Sequence, residues 1–268
     1  MTERVRLETP REGVALITMT HPDLHNCGSF EAISQLADCI EQARREGART
    51  CVLASGVEGH WLEHAWLPDL HGMVTGGPTS GDGSGWFRAI AGLTCEGLVT
   101  IAAISGDCSG GGAELGWACD LRVAEEQATF GQPEVQMGLA TGLGGTSRLM
   151  RLIGRTATAE MVLDGAPFTA RRIYELGGLN RIVPTGQAVD AALAWAERLA
   201  ERPARSLAIL KKTLNDAEEL PLSEALANEQ RLFQSLALTP EGAQAMAAAQ
   251  EPIDAGRTLR EIYGEPRK

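Results

Sequence analysis

Two glutamates stand twenty residues apart, Glu114 in Ser109-Gly110-Gly111-Gly112-Ala113-Glu114-Leu115 and Glu134 in Phe130-Gly131-Gln132-Pro133-Glu134. Backbone-shaping residues, glycine or proline, precede each of them. Paired carboxylates in a partly dry pocket cannot easily both ionise, so they divide into one acid and one base. The glycine triplet 110–112 adds a second kind of chemistry. Glycines between a strand and a helix let the backbone approach a ligand closely, with free N–H groups at the positive end of the helix. That is how an oxyanion hole is built, although a tight strand–helix turn uses the same residues. Taken singly, each acid is ambiguous. Glu114, expected on the first turn of an apolar helix over 112–119, is either a helix-dipole partner or a functional group in a dry place. Glu134 precedes the apolar stretch 135–140 and could simply mark the start of an element.

Other chemistries find less support. Gly106-Asp107-Cys108-Ser109-Gly110 has the spacing of a nucleophile elbow, but the fold using that turn places its histidine after the nucleophile. All five histidines, His21, His25, His60, His64 and His71, come before it. Cys108 therefore reads as a buried structural cysteine. Leu115 replaces the third glycine of a dinucleotide fingerprint, and no Walker lysine follows any glycine run. No histidine or cysteine spacing matches a metal-binding motif, so no metal is expected.

The elements that must position these groups are legible from periodicity. Short β-rich runs at 14–19, 50–55, 98–105 and 121–124 read as strands. Phe30, Ile33, Leu36, Ala37, Ile40 and Ala43 repeat at helical spacing up to Gly47, which gives a β-α-β start and an α/β fold with buried parallel pairing. From about residue 142 the pattern turns helical, with segments 148–153, 157–163, 170–176 and 189–199, and one further strand at 181–183. We expect an α/β core over 1–190 and a helical C-terminal region over 191–268, rich in Ala, Leu, Glu and Gln. The glycine-rich stretch 75–85 is expected to be a mobile surface loop that does not pack.

Composition narrows the setting. The 268 residues are 44% hydrophobic, enough for a full core, and 35 acidic against 24 basic side chains give a net charge of -11. That balance repels nucleic acid and anionic membranes. The only lysines are Lys211, Lys212 and Lys268, so any basic patch needs arginine. Without a long apolar run or a signal peptide, a cytoplasmic location is the expectation. The six cysteines contain no CxxC pair and read as reduced.

The stretch 101–184 closely resembles the crotonase, or enoyl-CoA hydratase/isomerase, superfamily. Gly-Gly-Gly-Ala-Glu-Leu is followed in order by Cys119-Asp120-Leu121-Arg122-Val123-Ala124, Phe-Gly-Gln-Pro-Glu, Gly144-Gly145-Thr146-Ser147-Arg148-Leu149, Glu160-Met161-Val162-Leu163-Asp164-Gly165 and Gly178-Leu179-Asn180-Arg181-Ile182-Val183-Pro184. The match is strongest to the hydratases and weaker over the rest of the chain.

The resemblance implies a spiral of repeated β-β-α turns, with C-terminal helices used to form a trimer or a dimer of trimers. It implies a 2-enoyl-CoA substrate, with coenzyme A as part of that substrate and no separate cofactor. Glu114 and Glu134 would hold a water between them and add it across the 2,3 double bond. Gly111 would give one oxyanion N–H and Ala65 the other, if Trp61-Leu62-Glu63-His64-Ala65-Trp66-Leu67 aligns with the family's Phe-Ser-Ala-Gly-Ala-Asp-Leu loop. His64, Trp66 and Leu67 would then be candidate substrate-loop contacts. Isomerase, thioester hydrolase or decarboxylase activity, or silent acyl-CoA binding, are the alternatives. The chain departs from the family pattern at His64 (usually glycine), at Pro68 (often lysine), at Ala249-Gln250-Glu251-Pro252 (usually a basic segment) and at Thr141 (often proline).

Overall fold

The computed structural model describes residues 3–264, in two compact units, Met1–Ala208 and Ile209–Lys268. The strands are β1 (Val5–Arg11), β2 (Val14–Met19), β3 (Thr50–Ser55), β4 (Gly59–His60), β5 (Val99–Ile104), β6 (Gly106–Ser109), β7 (Leu121–Glu125), β8 (Thr129–Gly131), β9 (Phe168–Thr169) and β10 (Arg181–Val183). The helices of the first unit are α1 (Phe30–Arg45), α2 (Leu67–Thr75), α3 (Ser84–Thr94), α4 (Gly110–Ala118), α5 (Ser147–Asp164), α6 (Ala170–Glu175) and α7 (Ala188–Ala200). α8 (Ala204–Glu219) runs across the boundary, and α9 (Leu222–Ala237), α10 (Pro240–Asp254) and α11 (Leu259–Tyr263) follow.

Two sheets make the core. One has the order β1-β2-β3-β5-β7-β10 and the other β4-β6-β8-β9. Each strand of the large sheet from β3 to β7 is followed at once by a short strand of the small sheet and then by a helix. The chain thus winds in β-β-α turns, as the resemblance implies. β2, β3, β5, β7 and β10 pair in parallel, and β1 closes one edge antiparallel to β2. Parallel strands covered on both faces are apolar throughout. β3 is buried from Thr50 to Ala54 and β5 from Thr100 to Ile104.

α1 begins where the Ser29 hydroxyl accepts the Ala32 N–H at 3.2 Å, and it buries Phe30, Ile33, Leu36 and Ile40 on one stripe. α7 covers the opposite face of the large sheet with Ala188, Ala192, Trp195 and Ala196, which pack with Val52, Ile101 and Val123. The expected boundary at 190/191 falls inside this helix, whose packing on the sheet places it in the first unit. The two helical segments expected around residue 154 are real: α5 is interrupted by Gly154 at φ 78°, ψ 161°, a conformation open to glycine alone.

The stretch 75–85 lies at the surface as expected, exposed from Thr75 to Asp82, but it is not free of packing. Asp69 on α2, fully buried, accepts the Phe30 N–H at 2.7 Å, the Ser80 N–H at 2.6 Å and the Ser80 hydroxyl at 2.5 Å. The stretch is therefore tied to the start of α1. Its last two residues open α3, and Gly85 is buried where a Cβ would come within 2.8 Å of Ser34. The glycine is what lets α3 lie against α1.

The second unit is helical. Thr239 and Thr258 cap α10 and α11 through their hydroxyls, and Glu261 completes a capping box at Thr258. Among the described residues no helix is long and apolar enough to cross a membrane.

Candidate active site

Glu114 projects from the middle of α4, its fifth residue rather than the first turn expected, and is only 2% exposed. Its Oε1 accepts two backbone N–H groups at 2.7 Å each, from Leu143 and Gly145. Burial pushes its pKa up, and the amides of Gly145, Leu143, Gly142 and Gly144 pull the other way without winning. Glu134 opens the short 3-10 turn Glu134–Met137. Its pKa is also raised, first by burial and further by the charge of Glu114, against the lowering effects of backbone hydrogen bonding and His64. Two neighbouring carboxyls that both resist ionisation are suited to dividing into one acid and one base.

Both glutamates line one cavity of about 510 Å³, together with His64, Ala65, Gly110 and Gly111. Its remaining wall is mainly apolar, with Phe30 and Trp86 buried and Met73, Phe87 and Leu139 exposed. The benzo edge of Trp86 fills the space between two backbones: a Cβ on Gly28 would meet the ring at 2.6 Å, and one on Gly111 at 2.9 Å. Glycine at both positions is what admits the indole.

The two candidate oxyanion donors come from different segments. Gly111 lies in the first turn of α4, where N–H groups lack intrahelical acceptors. Ala65 forms a parallel bridge with Gly28, through Gly28 N–H to the His64 carbonyl and Trp66 N–H to the Gly28 carbonyl, each 3.0 Å. In that pairing the N–H of Ala65 itself points away from Gly28. The segments meet closely: a Cβ on Gly112 would run into the carbonyl oxygens of Leu62 and Glu63, and one on Gly110 would stand 2.8 Å from the Cβ of His64.

His64 Nδ1 lies 2.8 Å from the carbonyl of its neighbour Ala65 and Nε2 lies 4.0 Å from Cys27 Sγ. The carbonyl contact places a proton on Nδ1. Leu67 lines the cavity, but Trp66 does not. Trp66 serves as the N-cap residue of α2, and its N–H is used in the Gly28 bridge. The other tryptophan of the loop, Trp61, is wholly buried against Gly116.

Residue types alone did not single out several parts of the site. Gln132 is fully buried. With its amide turned so that the carbonyl accepts the Trp117 indole N–H at 3.1 Å, its NH2 reaches the Glu134 oxygens at 3.0 and 3.3 Å. The position of Gln132 two residues before Glu134 was the available signal. Cys108 is buried, and burial drives its thiol far above the ordinary range, which suits a structural cysteine. His60 and Glu63, three residues apart, and the distant Asp107 have potential ligand atoms within 4.8 Å of one another. Their polar atoms already pair within the protein: His60 Nδ1 with Glu63 at 3.0 Å, Ser109 with Glu63 at 2.6 Å and Thr129 with Asp107 at 2.5 Å.

A β-β-α spiral that brings two carboxyls of raised pKa onto one cavity has the makings of an acid–base enzyme. The model of the enoyl-CoA hydratase/isomerase family matches residues 9–252, and the chain is a member of that enzyme family. It is 31% identical over 235 residues to a protein of Rhizobium meliloti named "Probable enoyl-CoA hydratase", covering 88% of this chain and 90% of that one. It is 30% identical over 250 residues to the 2,3-dehydroadipyl-CoA hydratase of Escherichia coli, covering 92% and 97%. Among solved structures, the enoyl-CoA hydratase subunit I of Geobacillus kaustophilus superposes with a TM-score of 0.81 at 29% identity, covering 93% and 96% of the two chains. DspI of Pseudomonas aeruginosa superposes with 0.82 at 27%, covering 94% and 95%.

Proposed function

We propose that this chain is an enoyl-CoA hydratase, adding water across the 2,3 double bond of a 2-enoyl-CoA to give the 3-hydroxyacyl-CoA. The observation that carries the reading is the presence of both Glu114 and Glu134 on one cavity with Ala65 and Gly111. A carboxylate accepts a proton from the water as its oxygen attacks C3, and a carboxylic acid delivers a proton to C2. Between these events negative charge collects on the thioester oxygen. The N–H groups of Ala65 and Gly111 are the donors for it, and a single such donor contributes about 3 to 4 kcal/mol to the transition state in comparable sites. The coenzyme A is part of the substrate, and no separate cofactor enters these steps.

Loss of the conjugated-thioester absorbance of crotonyl-CoA on mixing with the purified protein tests the activity directly. Glu114→Gln and Glu134→Gln should each lower the rate by roughly a hundredfold or more. Full hydration by either variant would refute the paired-carboxyl mechanism; double-bond migration or thiol release in place of hydration would assign the site to isomerase or hydrolase chemistry. We also propose self-assembly as a trimer or a dimer of trimers. Leu222, Leu226 and Phe233 are exposed along α9 and Leu238 at its C-cap, and light scattering on the eluting protein measures the mass.

A further inference from the structure

Ser109 precedes α4 with an extended backbone, φ -140° and ψ 157°, and makes no capping hydrogen bond to its own helix. Elsewhere in the chain Ser29, Thr169, Thr239 and Thr258, with ψ between 153° and 160°, each accept a first-turn N–H. Serine in this position ordinarily does so. An extended residue followed by one at positive φ also follows the course of a type II turn. Gly110 is at φ 49°. In the side-chain version of that turn, the hydroxyl takes the N–H two residues on, which here belongs to Gly111. The Ser109 hydroxyl instead donates to Glu63 Oε2 at 2.6 Å. Glu63 is held in turn through its other oxygen, 3.0 Å from His60 Nδ1, and its side chain is only 14% exposed.

We propose that Glu63 is a positioning residue that draws the Ser109 hydroxyl away from Gly111, keeping that N–H free for the thioester oxygen. The inference rests on the oxyanion role proposed for Gly111 and adds the device that keeps the donor available. Glu63 lies on the segment that carries Ala65, and Ser109 on the segment that carries Gly111. The backbone ladder between them ends nearby, with Trp61 N–H to the Asp107 carbonyl at 2.8 Å and Ser109 N–H to the Leu62 carbonyl at 3.4 Å. Charge does not explain a helpful carboxylate here, because a negative group beside a developing oxyanion opposes it.

Four variants and two measurements test the proposal. In a ligand-free crystal structure of Glu63→Ala, the Ser109 hydroxyl should lie within hydrogen-bonding distance of the Gly111 N–H. Crotonyl-CoA hydration by that variant should fall roughly fivefold in kcat/KM, the rate equivalent of a cap worth about 1 kcal/mol. Ser109→Ala should stay close to the parent rate, and Glu63→Ala/Ser109→Ala should recover it, since no hydroxyl remains to compete. Glu63→Gln keeps an acceptor and should also stay close. An unchanged rate in Glu63→Ala, a double variant as slow as Glu63→Ala, or a Ser109 hydroxyl that ignores Gly111 would each overturn the proposal. The crystal readout needs no turnover, so a parent protein without hydratase activity would refute the proposed reaction separately.

Discussion

Replacing Glu114 by glutamine should make the protein less active and more stable. The carboxyl is 2% exposed, and its two 2.7 Å amide contacts compete with the cost of removing its charge from water. Hydrogen bonds to a charged group contribute about 1.5 to 3 kcal/mol each, whereas burying an ion costs several kcal/mol. Because the pKa is raised, burial outweighs the amides. The folded protein therefore holds this proton to higher pH than the unfolded chain, whose glutamates titrate near about 4.3. The associated stability is full below that unfolded value and is lost as pH rises through the folded one. Glutamine keeps an oxygen for the Leu143 and Gly145 amides and carries no charge. At pH 7.5 we expect a gain of about 1 kcal/mol, a typical return for relieving an active-site conflict. In a unit the size of Met1–Ala208, that is about 2 to 4 °C in Tm. Differential scanning calorimetry at pH 7.5 and again near pH 4.5 measures it, and the gap should narrow at the lower pH. A variant that melts lower than the parent, or a gap indifferent to pH, would show that the amide seat outweighs burial.

The acid limb of the kcat/KM profile should lie above the ordinary glutamate value of about 4.3, because both carboxyls are raised, with activity lost as pH falls through it. Gly112→Ala should lose roughly 2 to 4 kcal/mol in urea unfolding, since its Cβ would meet the backbone oxygens of Leu62 and Glu63, which cannot swing aside. Trp86→Phe withdraws the ring edge from between Gly28 and Gly111. The ratio of kcat/KM for octenoyl-CoA to that for crotonyl-CoA should then rise by roughly tenfold or more, going by roughly 1 to 3 kcal/mol for a single further methylene accommodated.

What was legible in the sequence was what repeats. β2, β3 and β5 are largely apolar runs, β7 is apolar apart from Arg122 and Glu125, α1 shows a clean helical stripe, and Gly154 divides α5 where two helices were expected. The small sheet has no such signal, because β4 and β9 are two residues each and β8 is three. β1 alternates only over Val5-Arg6-Leu7-Glu8, and Thr9, Pro10 and Arg11 supply no apolar position to continue it. At the site, Glu114 and Glu134 could be named because their flanking motifs are distinctive. The seat of Glu114 could not, since Leu143 and Gly145 act through backbone N–H groups, which carry no residue identity. The stretch 75–85 misled for a related reason: its glycines suggest looseness, while the anchor, Asp69, lies outside it.

That anchor separates two tasks. The wall carrying Gly83 and Ser84 contributes no carboxyl and no candidate oxyanion donor to the cavity, and it is fastened to the first residue of α1 through one buried aspartate. Lengthening or shortening the segment between Ser80 and α3 would remodel that wall of the cavity while leaving the seats of Glu114 and Glu134 where they are. The chain thus offers a replaceable part: a segment in which substrate range can drift, or be engineered, without re-solving the acid–base geometry.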